Sequence, residues 1–136
     1  MTLKEILSRD RFAQLAGARI TVIRPGYAMA EMPVTPVLLN SAGIVQGGAL
    51  FTLADIAFAA AVNSHGVLTV STYSSIAFFK STTKGVLRAE AKEIFDHRRL
   101  PYAEVRITDD EGALVALFTS AGYRKSEVPT QADALE

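Results

Sequence analysis

The stretch Ser41–Gly66, SAGIVQGGALFTLADIAFAAAVNSHG, decides how this chain folds. From Ala49 to Val62 every residue is apolar except Thr52 and Asp55. The pattern predicts a helix that starts near Gly47-Gly48 and stops near Asn63, with Gly66 as a C-terminal cap. The run is shorter than the ~20 residues a membrane span requires, and it carries a carboxylate near its middle. It reads as a buried helix of a soluble domain. A helix apolar on all sides must be covered on all sides. A curved sheet covers one side, and a second subunit is expected to cover the rest.

Outward from this helix the chain reads as strands. Ala18–Arg24 and Tyr27–Val34 flank a Pro25-Gly26 turn. Pro33, Pro36 and Asn40-Ser41 mark an extended loop. After the helix come Leu68–Phe79, Val86–Phe95, Tyr102–Thr108 and Ala113–Tyr123. The third of these alternates Tyr102, Glu104 and Arg106 against Ala103, Val105 and Ile107, and Asp109–Gly112 reads as a hairpin turn. At the front, Leu3, Ile6, Leu7, Phe12 and Leu15 have helical spacing, so one short helix is expected over Leu3–Leu15. Ser126–Glu136 reads as a frayed tail. The order helix, two strands, long helix, four strands is an α+β chain with an antiparallel sheet. Its 136 residues form one domain with a core over about 18–124.

Composition narrows the chemistry. Fourteen basic residues balance fourteen acidic ones, which argues against nucleic acid or an anionic membrane as the main partner. The chain has no Cys, so disulfides, Cys-zinc sites and Cys nucleophiles are excluded. Two His, His65 and His97, without regular spacing to carboxylates propose no metal site. The N-terminal stretch is amphipathic and lacks a signal-peptide core, so a cytoplasmic location is expected.

That leaves the question of the lone carboxylate. A helix-interior Asp is commonly solvated or caps a neighbouring segment. Here Phe51, Asp55, Phe58 and Val62 recur at helical spacing, and no Lys or Arg sits within a turn of Asp55. Burial raises the pKa of an unpaired carboxyl, and such a group is a general-base or nucleophile candidate. Gly47-Gly48 supplies the second part. Free N–H groups at a helix start, at the positive end of its dipole, suit a carbonyl oxygen that gains negative charge. Yet Gly48 and Asp55 are seven residues apart, about 10 Å along the axis. An antiparallel helix from a second subunit would bring its Asp55 to the glycine pair, so a site shared across a dimer is expected.

Asn40, Gln46-Gly47-Gly48, Leu53-Ala54-Asp55 and Asn63-Ser64-His65-Gly66 together resemble the hotdog-fold acyl-CoA thioesterases, with the phenylacetate-pathway branch as the nearest likeness. That branch spaces Asn, five residues, His-Gly-Gly, six residues, Asp, as here. The resemblance covers roughly Ala18–Arg124 and implies a long helix wrapped by a curved antiparallel sheet. It implies hydrolysis of an acyl-CoA to free acid and CoA without a cofactor, in a homodimer or homotetramer. Asp55 would activate water or attack the thioester, the Gly47 N–H would polarise its carbonyl, with Gly48 beside it, and Asn40 would orient carbonyl or water. Ser71, at the start of the strand after the helix, matches a water-positioning Ser of some relatives. Gln46 departs from the usual His: its amide donates a hydrogen bond but is no acid near neutral pH. This departure motivates a second reading, an acyl-CoA binding module without chemistry. A hydratase reading ranks last, because neither His65 nor His97 sits in the matching place. His65, in the helix's last turn, reads as structural. Lys84, Arg98 and Arg99 are candidates for the CoA phosphates.

Overall fold

The computed structural model describes residues 2–125. The expected tail, 126–136, lies outside the described residues. In chain order the elements are α1 (Leu3–Leu7), α2 (Arg11–Ala16), β1 (Arg19–Arg24), β2 (Tyr27–Pro33), a 3-10 turn (Pro36–Leu38), α3 (Gly47–Asn63), β3 (Thr69–Phe78), β4 (Val86–Phe95), β5 (Tyr102–Thr108) and β6 (Leu114–Arg124). The six strands form one antiparallel sheet in the order β1-β2-β4-β5-β6-β3, and α3 packs on its inner face.

The expected single N-terminal helix is two helices. Thr2 caps α1 through a capping box with Glu5, and Ser8 closes it. Asp10 then caps α2, its carboxylate accepting the Ala13 N–H at 3.0 Å. Two cap residues in mid-stretch outweigh the helical spacing of the apolar residues. Gly17, with φ +83°, ends α2 in the left-handed conformation that glycine adopts without strain. The other predicted elements stand, with ends shifted by a residue or two.

Small side chains let the sheet close on the helix. Ala28, Ala30, Ala89 and Ala91 on β2 and β4 are fully buried, as are Ala57, Ala60 and Ala61 of α3. Larger groups fill the space toward β5 and β6. There Phe118 meets Phe58 and Phe51 edge-on, with centroids 6.2 and 5.1 Å apart. The alternation read in β5 holds: Ala103, Val105 and Ile107 point into this core.

The coverage of α3 differs from expectation in one respect. A second side of the helix is closed by α1 and α2 of the same chain. Along α3, Gly47, Gly48, Phe51, Thr52, Asp55 and Ala59 stay partly open. Phe58 and Val62 are core residues, and Asp55 sits at the edge of that core, half-buried. Gly47 at the start of α3 faces Phe78 of β3, Gly48 and Thr52 share a groove with α2, and among the described residues β3 pairs only with β6. Among the described residues no helix is long and apolar enough to cross a membrane.

Candidate active site

The site is built around the start of α3. Backbone bonds pin the approach: the Gln46 N–H donates to Leu38 O at 2.8 Å and the Val45 N–H to Thr82 O at 2.9 Å. Gln46 is the N-cap residue, but its side chain makes no capping bond. The N–H groups of Gly47 and Gly48, in the first turn, therefore have no partner among the described residues. Close packing constrains Gly47 more than Gly48, whose nearest neighbour is the movable end of the Gln46 side chain. A Cβ on Gly47 would stand 3.0 Å from the Phe78 ring, and one on Gly48 would stand 2.6 Å from Gln46 Oε1. The Gln46 side chain is thus folded back over the helix start.

Asn40 forms a tight loop with its acceptor side. Its Oδ1 takes the N–H groups of Ala42 at 2.9 Å and Ile44 at 3.2 Å. The side chain's remaining polarity is its Nδ2 amide, a donor. Asn40, Gln46 and Gly48 line a groove of about 520 Å³ together with Phe12 and Leu15 of α2 and with Val37 and Leu38. A site with a few polar groups and apolar walls suits a small molecule with a polar head and an apolar body.

Asp55 stands apart from this groove. It lies two turns down a continuous helix, so one protomer does not bring it to Gly47. Burial pushes its carboxyl above the ordinary value, and the charge of Asp10 adds to the rise; among the described residues no hydrogen bond or cation opposes them. Ser71 is engaged with other serines, its Oγ 3.0 Å from Ser74 Oγ and 3.1 Å from Ser120 Oγ.

The basic candidates separate. Lys84 sits in the β3–β4 loop beside Thr82 and Gly85, which bond to Val45 and Val34 near the helix start. Arg98 and Arg99 lie in the β4–β5 loop at the other end, where Arg99 O accepts the Arg124 N–H at 2.7 Å. The helix between these ends has 17 residues, about 25 Å of axis. One protomer does not join the two groups. His97 serves the loop itself, its Nδ1 accepting the N–H groups of Arg99 and Leu100 at 3.0 and 2.9 Å.

His65 is structural: its Nε2 contacts Glu93. With Asp96 these two form a cluster that sequence spacing did not reveal. Arg124 fills it, its Nη atoms 3.0 Å from Glu93 and 2.6 Å from Asp96, so a guanidinium already neutralises the carboxylates. Asp10 was also missed as a neighbour of Asp55, although Asp before a helical run is an N-cap signal that would have broken the N-terminal helix in two.

A long helix wrapped by a curved six-stranded antiparallel sheet, with a glycine pair at the helix start, defines the hotdog class. A family model described as the thioesterase superfamily matches residues 42–116. An Archaeoglobus fulgidus protein provisionally named an esterase is 38% identical over 119 residues, 87% of this chain and 77% of that one. The acyl-coenzyme A thioesterase PaaI of Escherichia coli K12 is 33% identical over 116 residues, 85% of this chain and 83% of that one. The solved structure of E. coli PaaI, from the phenylacetic acid degradation operon, superposes with a TM-score of 0.85 at 30% identity, over 90% of this chain and 89% of that one. This chain belongs to the thioesterase superfamily, and its chemistry is thioester hydrolysis.

Proposed function

We propose that the chain hydrolyses acyl-CoA thioesters to the free acid and CoA, at sites shared between two antiparallel subunits. The observation that carries this reading is the pair of unmatched groups on α3: bare N–H donors at its start and a half-buried carboxylate without a partner two turns on. The thioester carbonyl rests against the Gly47 N–H and the amides of Asn40 and Gln46. Its acyl body lies along the apolar groove. The partner's Asp55, ionised, takes a proton from water as the water oxygen attacks the carbonyl carbon, or attacks that carbon itself. The negative charge that develops on the carbonyl oxygen is met by the helix-start donors. The C–S bond then breaks and the thiolate leaves, picking up a proton; where Asp55 itself attacked, water then cleaves the mixed anhydride to give the free acid and restore Asp55.

An antiparallel dimer is supported by β3. One rim of this ten-residue strand has no neighbour among the described residues, and Val70, Tyr73 and Phe78 are exposed along it. An unpaired rim of this length is a template for another strand. A second copy added there runs its α3 antiparallel and carries the partner's Asp55 toward Gly47. It also carries the partner's Arg98 and Arg99 toward Lys84, so that the CoA phosphates lie between subunits.

Complementation tests the shared site. Asn40→Asp keeps the loop-forming acceptor and removes the donor; Asp55→Asn removes the base. Each variant alone is expected to be inactive toward a panel of aryl- and aliphatic-CoAs. Co-assembled in equal amounts they regain about a quarter of wild-type CoA release, because half the dimers are mixed and each holds one intact site of two. No recovery means that Asn40 and Asp55 act within one subunit. Binding of acyl-CoA by the wild-type chain without any CoA release favours the binding-module reading, for which Gln46 in place of an acid is the motivating residue.

A further inference from the structure

β3 and β6 lose register between Ser71 and Tyr73, with Thr72 as the extra residue. The bulge brings the hydroxyls of Ser71 and Ser74 to one side, where both meet Ser120 of β6. Ser74 Oγ is 2.8 Å from Ser120 Oγ, and the two distances from Ser71 are 3.0 and 3.1 Å. Ser120 is fully buried, and its hydroxyl donates to Tyr73 O at 2.8 Å.

Proton counting orients the cluster. A hydroxyl has one donor and two acceptor positions. The Ser120 proton is committed to Tyr73 O, so toward the other serines Ser120 only accepts. The Ser71 hydroxyl closes the cluster when its proton is directed inward, to Ser120 or Ser74. What Ser71, an exposed residue, presents outward is an acceptor lone pair.

The cluster stands level with Asp55. Gly47 lies beside the Phe78 ring at one end of the α3–β3 contact. At the other end the Asn63 amide holds Thr69, Oδ1 to N at 2.8 Å and Nδ2 to O at 3.1 Å. Asp55 is midway along α3 and Ser74 midway along β3. Phe118, two residues before Ser120, packs on Phe51 and Phe58, which flank Asp55.

We propose that Ser120 and Ser74 are positioning residues for thioester hydrolysis, holding the Ser71 hydroxyl as a hydrogen-bond acceptor for the water that Asp55 deprotonates. One water proton goes to Asp55, the other points at Ser71 Oγ, and the oxygen lone pair is left aimed at the carbonyl carbon. This rests on the hydrolytic reading of Asp55 above. The bulge at Thr72 is thereby part of the active-site geometry rather than a local irregularity.

Steady-state kinetics with phenylacetyl-CoA and hexanoyl-CoA, followed by thiol release, test it on Ser71→Ala, Ser120→Ala and the double variant, each also melted thermally. Ser120→Ala is expected to lower kcat about tenfold with KM within about twofold of wild type. The double variant is expected to be no slower than Ser71→Ala alone, and Ser71→Thr to restore most of kcat. Additive losses in the double variant, or a Ser120→Ala enzyme with full kcat, overturn the proposal while the hydrolytic reading stands. Wild-type protein that releases no CoA from either substrate overturns that reading and the proposal with it.

Discussion

The two ends of α3 are finished in opposite ways. At the C-terminal end most polar side chains are paired, Arg124 Nε being an exception. Asn63 holds Thr69, Ser64 Oγ accepts the Gly26 N–H at 2.8 Å, His65 meets Glu93, and Arg124 ties Glu93 to Asp96. At the N-terminal end, among the described residues, the Gly47 and Gly48 N–H groups and the Gln46 side chain have no partner. Backbone and buried polar groups in folded proteins are nearly always paired. The matched end fastens four elements together, and the unmatched end has hydrogen-bonding capacity left for a ligand. Stability and activity are thus expected to respond to different ends of one helix.

The strongest way to break this contrast is Asp55→Asn, in the middle. Loss of the proposed base is expected to lower kcat about 10³-fold. The same change should raise Tm at pH 7. The folded-state pKa of Asp55 lies above the unfolded value of about 3.8, so the ionised form destabilises the fold. That penalty is complete above the raised pKa and vanishes as pH falls to the unfolded value, so the Tm advantage of the variant should disappear at about pH 3–4. A variant less stable than wild type at pH 7 would show that the carboxylate has a native partner.

Arg124→Met probes the matched end. It leaves Glu93, whose side chain is only 5% exposed, with His65 as its one remaining partner among the described residues, and should cost about 3 kcal/mol in urea unfolding. Gln46→Ala probes the other end. With no native bond to lose, it should change stability by less than about 0.5 kcal/mol while slowing turnover about ten- to a hundredfold. Equal stability losses in these two variants would erase the contrast. The smallest expected effect is that of Asp10→Asn. Asn keeps the cap on α2 and removes the charge that raises the Asp55 pKa, so the acid limb of kcat/KM should move to lower pH. A limb that stays in place would assign the rise to burial alone.

Much of this was readable in the chain and some was not, for physical reasons. The bounds of α3, β4 and β5 follow from local pattern, because each has one face or all faces buried against a continuous core. Gly47 and Asp55 stood out as candidates because a bare helix start and an unpaired apolar-face carboxylate are local facts, whereas Asn40 entered only through the family resemblance. The serine cluster was not, since it depends on a bulge, and an alternation of period two cannot show on which side a residue falls after an insertion. The Arg124–Glu93–His65 cluster joins residues far apart in sequence, where spacing has no meaning. The break between α1 and α2 was legible in Asp10 but was outweighed by apolar periodicity.

Asp55 and Gly47 share one rigid helix, and this restricts how the gene can vary. One residue inserted between them turns Asp55 about 100° around the axis, away from its partly open position and into the sheet or against α1 and α2. Deletion turns it as far the other way. Length changes should therefore be tolerated in the β3–β4 and β4–β5 loops and selected against within Gly47–Asp55. α3 acts as a ruler whose divisions cannot be renumbered, while the groove walls on α2, a separate short segment, remain free to drift toward new acyl groups.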